Sequence, residues 1–169
     1  MNRTSAQALA FARPVIQGLT VLNILYGVGI ALLLGWSFFI EGWPQTPLGD
    51  FASKHPQLPN GLRAIVVIGI VGAVIVHTIL RRLLAIVDTV RDGDPFNLEN
   101  ARRLEAIAWS VLALEVLRLI VATIASVVWE AGRVDGFSIA SWFAVLLLFV
   151  LSGVFAQGAR MRADLEGTV

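Results

Sequence analysis

The sequence predicts an all-α integral membrane protein with four transmembrane helices, the second and third extended into the cytoplasm as an antiparallel hairpin. Three observations predict it. First, the 169-residue chain is 57% hydrophobic and only 15% charged, with a mean hydropathy of +0.78; soluble domains run nearer 45–50% apolar and 25% charged. Second, it holds four apolar runs close to or above the roughly 20 residues that cross a hydrocarbon core of about 30 Å. Third, its basic residues gather at alternate ends of those runs. A soluble domain of this size cannot bury four such helices on every side.

The first run covers residues 14–40, "PVIQGLTVLNILYGVGIALLLGWSFFI". It is too long for a signal-peptide core and lacks a terminal Ala-x-Ala, so it reads as a retained anchor. Residues 41–61 carry four prolines and three glycines and read as turns on the outer surface. The second run is 62–80. Its pattern continues through Leu83, Leu84, Val87 and Val90 at three- and four-residue spacing, with Arg81, Arg82, Asp88 and Arg91 on other faces. This is an amphipathic extension of the helix. Asp92-Gly93 then supplies a stop, because Gly takes the left-handed conformation after a helix and Pro95 cannot continue one.

Asn97 is a natural N-cap for the next helix, and Glu99 falls in its first turn, where the helix dipole favours an anion. The third run is 104–129. Started at Leu98, the helix reaches Trp129 in about 48 Å at 1.5 Å per residue. Residues 81–103 are therefore expected to form the cytoplasmic hairpin, with "DGDPFN" as its tip. Phe96 there is either a hydrophobic staple onto the following helix or an exposed anchor for a partner. A short outer connection, 130–137, leads to the fourth span, 138–157, and a tail, 158–169.

Orientation follows from the Lys/Arg bias. Arg3, Arg13, Arg81, Arg82, Arg91, Arg102, Arg103, Arg160 and Arg162 fall on one side; Lys54, Arg63 and Arg133 fall on the other. Both termini are expected in the cytoplasm, with the chain in the cytoplasmic membrane. Trp36, Trp43, Trp129 and Trp142 mark the outer interface and Trp109 the inner one.

"GDPFNLENARRLEAIAW" followed by "VFAQGARMRADLEGTV" resembles the bacterial membrane family known as domain of unknown function 2975, over essentially the whole chain. The residues that carry the likeness are Gly93, Pro95, Phe96, Asn100, Arg103 and Leu104, then Val154, Phe155 and Gly158. The sequence departs from the family at the tail, where Met161 and Gly167 stand in place of leucines. The resemblance implies four spans and a regulatory role, since members are often encoded beside a small helix-turn-helix regulator. The expected partner surface is Gly93, Asp94, Pro95, Phe96, Asn100 and Arg103 of the tip, with Arg160 and Arg162 of the tail.

Inside the third span, Glu115 and Arg118 share a face at i, i+3 spacing. Ionisable residues at that depth are expensive and are functional candidates by default. The bland account is a self-neutralising pair that pins the bundle, with Asn23 or Tyr26 of the first span completing its hydrogen bonds. His77 is isolated near the inner interface, and His55 lies in the outer loop, so no metal site is expected. Asp88, Asp92, Asp94 and Glu99 miss the spacing of a calcium loop and alternate with arginines, which indicates solvated ion pairing. Glycines at 27, 29, 35, 69, 72 and 153, with Ser152 and Ala156, are expected to allow close helix contact.

There is no cysteine, and no nucleophile motif, metal set or phosphate loop. The reading is therefore non-enzymatic and without cofactor. It is a membrane module whose tip and tail bind a helix-turn-helix regulator, with lipid around it, no direct nucleic-acid contact, and homo-oligomerisation allowed. The alternatives are a small transporter or ligand-binding membrane protein built on Glu115/Arg118, and a structural subunit of a larger complex. Unbroken spans without repeats argue against the transporter.

Overall fold

The computed structural model describes residues 3–40, 43, 58–129 and 138–166. The expected turns of the outer loop before residue 58 (save Trp43), the connection 130–137 and the last three residues of the tail lie outside the described residues. Four helices account for nearly everything described: α1 (Arg3–Phe39), α2 (Leu58–Arg91), α3 (Leu98–Trp129) and α4 (Ile139–Glu166). Each is long and apolar enough to cross a membrane. The shortest, α4, has 28 residues and measures about 42 Å at the usual helical rise.

Two helices start ahead of the expected spans, both in segments that carry a proline, and α4 runs on to Glu166 through most of the expected tail. α1 begins at Arg3 and carries Pro14 within it, so the first span is the continuation of a helix already under way. α2 begins at Leu58, with Pro59 in its first turn. A proline there costs little, because the first N–H groups of a helix have no intrahelical acceptor to lose.

Each helix packs chiefly against the next in sequence, α1 on α2, α2 on α3 and α3 on α4. The fold is a row rather than a closed ring. Near the α2–α3 turn, Ile16, Leu80 and Val87 are buried with Ala12, Val76 and Leu84 around them; at the far end, Leu58 is fully buried against Leu62 and Ile124. Many large apolar side chains, among them Leu22, Leu25, Leu32, Leu146 and Val150, are exposed. In water such surface would drive aggregation; in a bilayer it is the lipid-facing surface.

Hydroxyls within the spans are satisfied locally. Thr20, Thr78, Ser110 and Thr123 donate to carbonyls four residues back, and Ser37 and Ser152 to carbonyls three back. Gly27 approaches Ala73, Gly69 approaches Ile30, and Gly72 approaches Leu114, as small residues at helix contacts should. Gly29, Gly35 and Gly153 do not: a side chain there would meet nothing within 4 Å. These three face outward.

At the far end, Arg63 of α2 closes the end of α1. Its Nη2 donates to the Ser37 carbonyl (2.7 Å), its Nε lies 3.3 Å from the Ser37 hydroxyl, and its guanidinium stacks on Phe38 at 4.4 Å. Ser37 contributes one of the last carbonyls of α1, which have no partner within the helix.

The α2–α3 turn follows the stop-and-restart pattern. Gly93 has φ 87°, its N–H donates to the Val90 carbonyl, and the Asp94 N–H donates to the Thr89 carbonyl. That pair of bonds is a Schellman motif, which needs a left-handed residue at the position of Gly93. Gly93→Ala is expected to lower stability by about 1 kcal/mol, and Gly93→Asn by less. Thermal unfolding in detergent checks this; equal melting of the alanine variant and wild type would contradict it.

Candidate functional site

The tip residues, 92–97, are held by a compact set of hydrogen bonds. Asn97 caps α3, its Oδ1 accepting from the Asn100 backbone N–H at 2.7 Å, while its Nδ2 donates back to the Asp94 carbonyl at 3.0 Å. Asn100 is fully buried. Its Nδ2 donates to the Thr89 hydroxyl (2.7 Å) and the Pro95 carbonyl (3.1 Å), and its Oδ1 accepts from Arg103 (2.9 Å). Arg103 also pairs with Glu99 one turn away. Asn100 thus ties the end of α2, the turn and the start of α3 together.

The tip then reaches across to α4. Arg162 forms an ion pair with Asp94. The Phe96 ring lies 5.1 Å from the Phe155 ring, tilted by 34°. A Cβ placed on Gly158 would come within 3.2 Å of Phe96 Cδ1, so the ring rests on α4 where a glycine leaves room for it. Phe96 packs on α4, and the ring stays 46% exposed. The segments that carried the family likeness therefore meet in space as one clasp. Phe155, Gly158 and Thr89 belong to it, and no periodicity within a single helix marks them as neighbours of the tip.

Within the clasp, Asp94, Asn100 and Arg103 are turned toward other residues of the chain. Arg91, Leu98, Arg102, Arg160 and Met161 are exposed around it. On the α1 side of the same end, Arg13 pairs with Asp88 at 3.6 Å. Arg82 crosses from α2 to α3, donating to the Ala106 carbonyl (3.0 Å) and the Ser110 hydroxyl (3.1 Å).

The second polar cluster is in the middle of α3. Arg118 Nε donates to Glu115 Oε2 at 2.9 Å. The Glu115 carboxylate is buried and lies beside Ser141 of α4, a residue that the sequence marks only as a hydroxyl in the first turn of a span. Asn23 does not complete this pair: its amide donates to the Ala73 carbonyl of α2 at 2.9 Å. The reason is the order of the row, which sets α1 against α2 and leaves α4 beside Glu115. Tyr26 has its hydroxyl over Gly69 of α2. His77 lines a groove of about 380 Å³ with Asn23 and Gly27, and its Nδ1 is buried without a hydrogen-bond partner.

Four apolar helices of membrane-crossing length define a multi-pass α-helical membrane protein. The chain belongs to the family described as protein of unknown function (DUF2975), which matches residues 4–169. No curated protein and no solved structure matches it.

Proposed function

We propose that this chain is a non-enzymatic regulatory module of a bacterial cytoplasmic membrane, with both termini and the tip in the cytoplasm, and that the clasp presents a docking platform to a small helix-turn-helix regulator. The observation that carries the reading is the clasp itself. Two segments remote in sequence are locked together by Asp94–Arg162 and by Phe96 against Phe155 and Gly158. The locked side chains hold the shape, and the exposed ones around them form the contact surface. Phe96, Leu98 and Met161 offer apolar anchors, and exposed Arg91, Arg102 and Arg160 lie near them together with exposed Asp92 and Glu99, a polar rim of mixed charge. Nine arginines at this end favour the cytoplasmic side. α2 and α3 are about 51 and 48 Å long, which exceeds the hydrocarbon core and carries the tip beyond it. The ionisable groups of both polar clusters pair with one another rather than line a cleft, which favours binding over catalysis.

The test is co-purification of the full chain, in detergent, with the helix-turn-helix protein encoded beside it. Wild type retains the regulator, and Leu98→Glu combined with Met161→Glu weakens it by about tenfold or more. Both positions are exposed, so the pair leaves the clasp intact. Failure of wild type to retain the regulator, or equal retention by the double variant, rejects the reading.

A further inference from the structure

We infer that a second copy of this chain docks on the face of the row that carries Tyr26 and Arg118, each copy's Tyr26 hydroxyl accepting from the other copy's Arg118.

Arg118 lies thirteen residues beyond Glu105 and eleven short of Trp129, about 20 Å and 16 Å along the helix. On the α4 side it is level with the first turn of that helix, because Trp109 lies beside Phe149 and Glu115 beside Ser141. The Arg118 side chain is 41% exposed. A guanidinium has five N–H donors; only Nε is engaged, by Glu115, and no described residue accepts from the other four. On α1, Tyr26 is 56% exposed, and its hydroxyl has no hydrogen-bond partner among the described residues.

These two unsatisfied groups lie at the same depth. Gly72 of α2 faces Leu114 of α3, and the two helices run antiparallel. One turn along, Arg118 is therefore level with Gly69, the residue over which the Tyr26 hydroxyl stands. They also lie on the same side of the row. Val74 lines one groove with Ile24 and Val28 of α1 and another with Trp109, Ser110 and Ala113 of α3, which defines one face. Tyr26 falls on the other side of the line of α1 residues that meet α2 (Ile16, Asn23, Gly27 and Ile30). Arg118 is four residues from Leu114, which meets α2, and three from Glu115, which meets Ser141. It therefore sits in the notch between α2 and α4, also away from Val74.

Symmetry then joins them. Copies inserted in the same orientation are related by an axis along the membrane normal, which preserves depth, and a two-fold pair is self-complementary. When two copies face each other the left of one opposes the right of the other, so Tyr26 meets Arg118 twice. The occupant is another copy rather than an anion because Glu115 already balances the charge of Arg118. What is missing is a neutral acceptor, and a tyrosine hydroxyl supplies one without bringing charge into the hydrocarbon.

The chain has no cysteine, so introduced thiols report cleanly. Full-length Leu33→Cys, two turns from Tyr26, is co-expressed with differently tagged Ala122→Cys, one turn from Arg118; both leave the proposed pair intact. Oxidation of the membranes gives a mixed disulfide at several times the yield of the control pair Val28→Cys and Val116→Cys, which lies on other faces. Native mass spectrometry from mild detergent gives twice the 18.3 kDa of one chain, and Tyr26→Phe raises the dimer dissociation constant roughly tenfold for the two bonds lost. A wild-type mass of one chain, bare or carrying a phospholipid or fatty acid, overturns the proposal. So does a dimer that cross-links through the control pair, or one that Tyr26→Phe leaves unchanged.

Discussion

Glu115→Ala is expected to lower stability by about 3 kcal/mol. Glu115 is the only described residue that engages the Arg118 guanidinium, and its carboxylate is buried between α3 and Ser141 of α4. Removing it leaves an uncompensated cation in the apolar belt and an unfilled gap on the α3–α4 contact. The size of the effect should come mostly from the stranded charge. Deleting both charges therefore recovers most of the loss: Glu115→Leu with Arg118→Leu is expected to melt within about 1 kcal/mol of wild type, as apolar replacements of ion pairs often do. Thermal unfolding in detergent, together with the amount of chain recovered in membranes, measures both. A double variant as unstable as Glu115→Ala would show that the carboxylate acts through its packing against α4, and not through Arg118.

Much of the helix pattern could be read directly because the solvent imposes it. A backbone in hydrocarbon must satisfy its own hydrogen bonds, so an apolar run of sufficient length has one structure open to it. Gly93 and Asn97 were readable for a similar reason: a left-handed stop and a side-chain cap are local demands of the chain on itself. The helix starts were harder. Pro14 and Pro59 looked like punctuation, yet one lies within α1 and the other in the first turn of α2.

The site was readable in its membership more than in its geometry. Asn100 and Phe96 were singled out by resemblance, but nothing in a linear pattern says that one is fully buried or that the other rests on Gly158. Those facts depend on which helix lies next to which. The same gap explains Asn23: a polar residue in the first span could have served any neighbour, and the row places it against Ala73 rather than Glu115. Arg63 taught least from sequence alone, counted only as a charge at one end, although it closes the carbonyl end of α1.

Asn100→Leu is expected to lower stability by about 3 kcal/mol, although the two side chains branch alike and carry the same number of heavy atoms. The substitution removes both donors to Thr89 and Pro95 and the acceptor for Arg103. Arg103 retains Glu99, and the Thr89 hydroxyl retains the Ile86 carbonyl at 2.8 Å, so the Pro95 carbonyl is the group left stranded. Asn100→Asp separates the contributions. Its carboxylate can still accept from Thr89 and Arg103 but can donate nothing to Pro95, so its loss should fall between wild type and leucine. Hydrogen exchange localises the damage. The Gly93 and Asp94 amides, protected by the bonds that end α2, should exchange faster in the order wild type, aspartate, leucine, while amides in the middle of α4 keep their rates. Unchanged exchange at Gly93 and Asp94 in the leucine variant would mean that the backbone turn holds itself, and that Asn100 serves only to position Arg103.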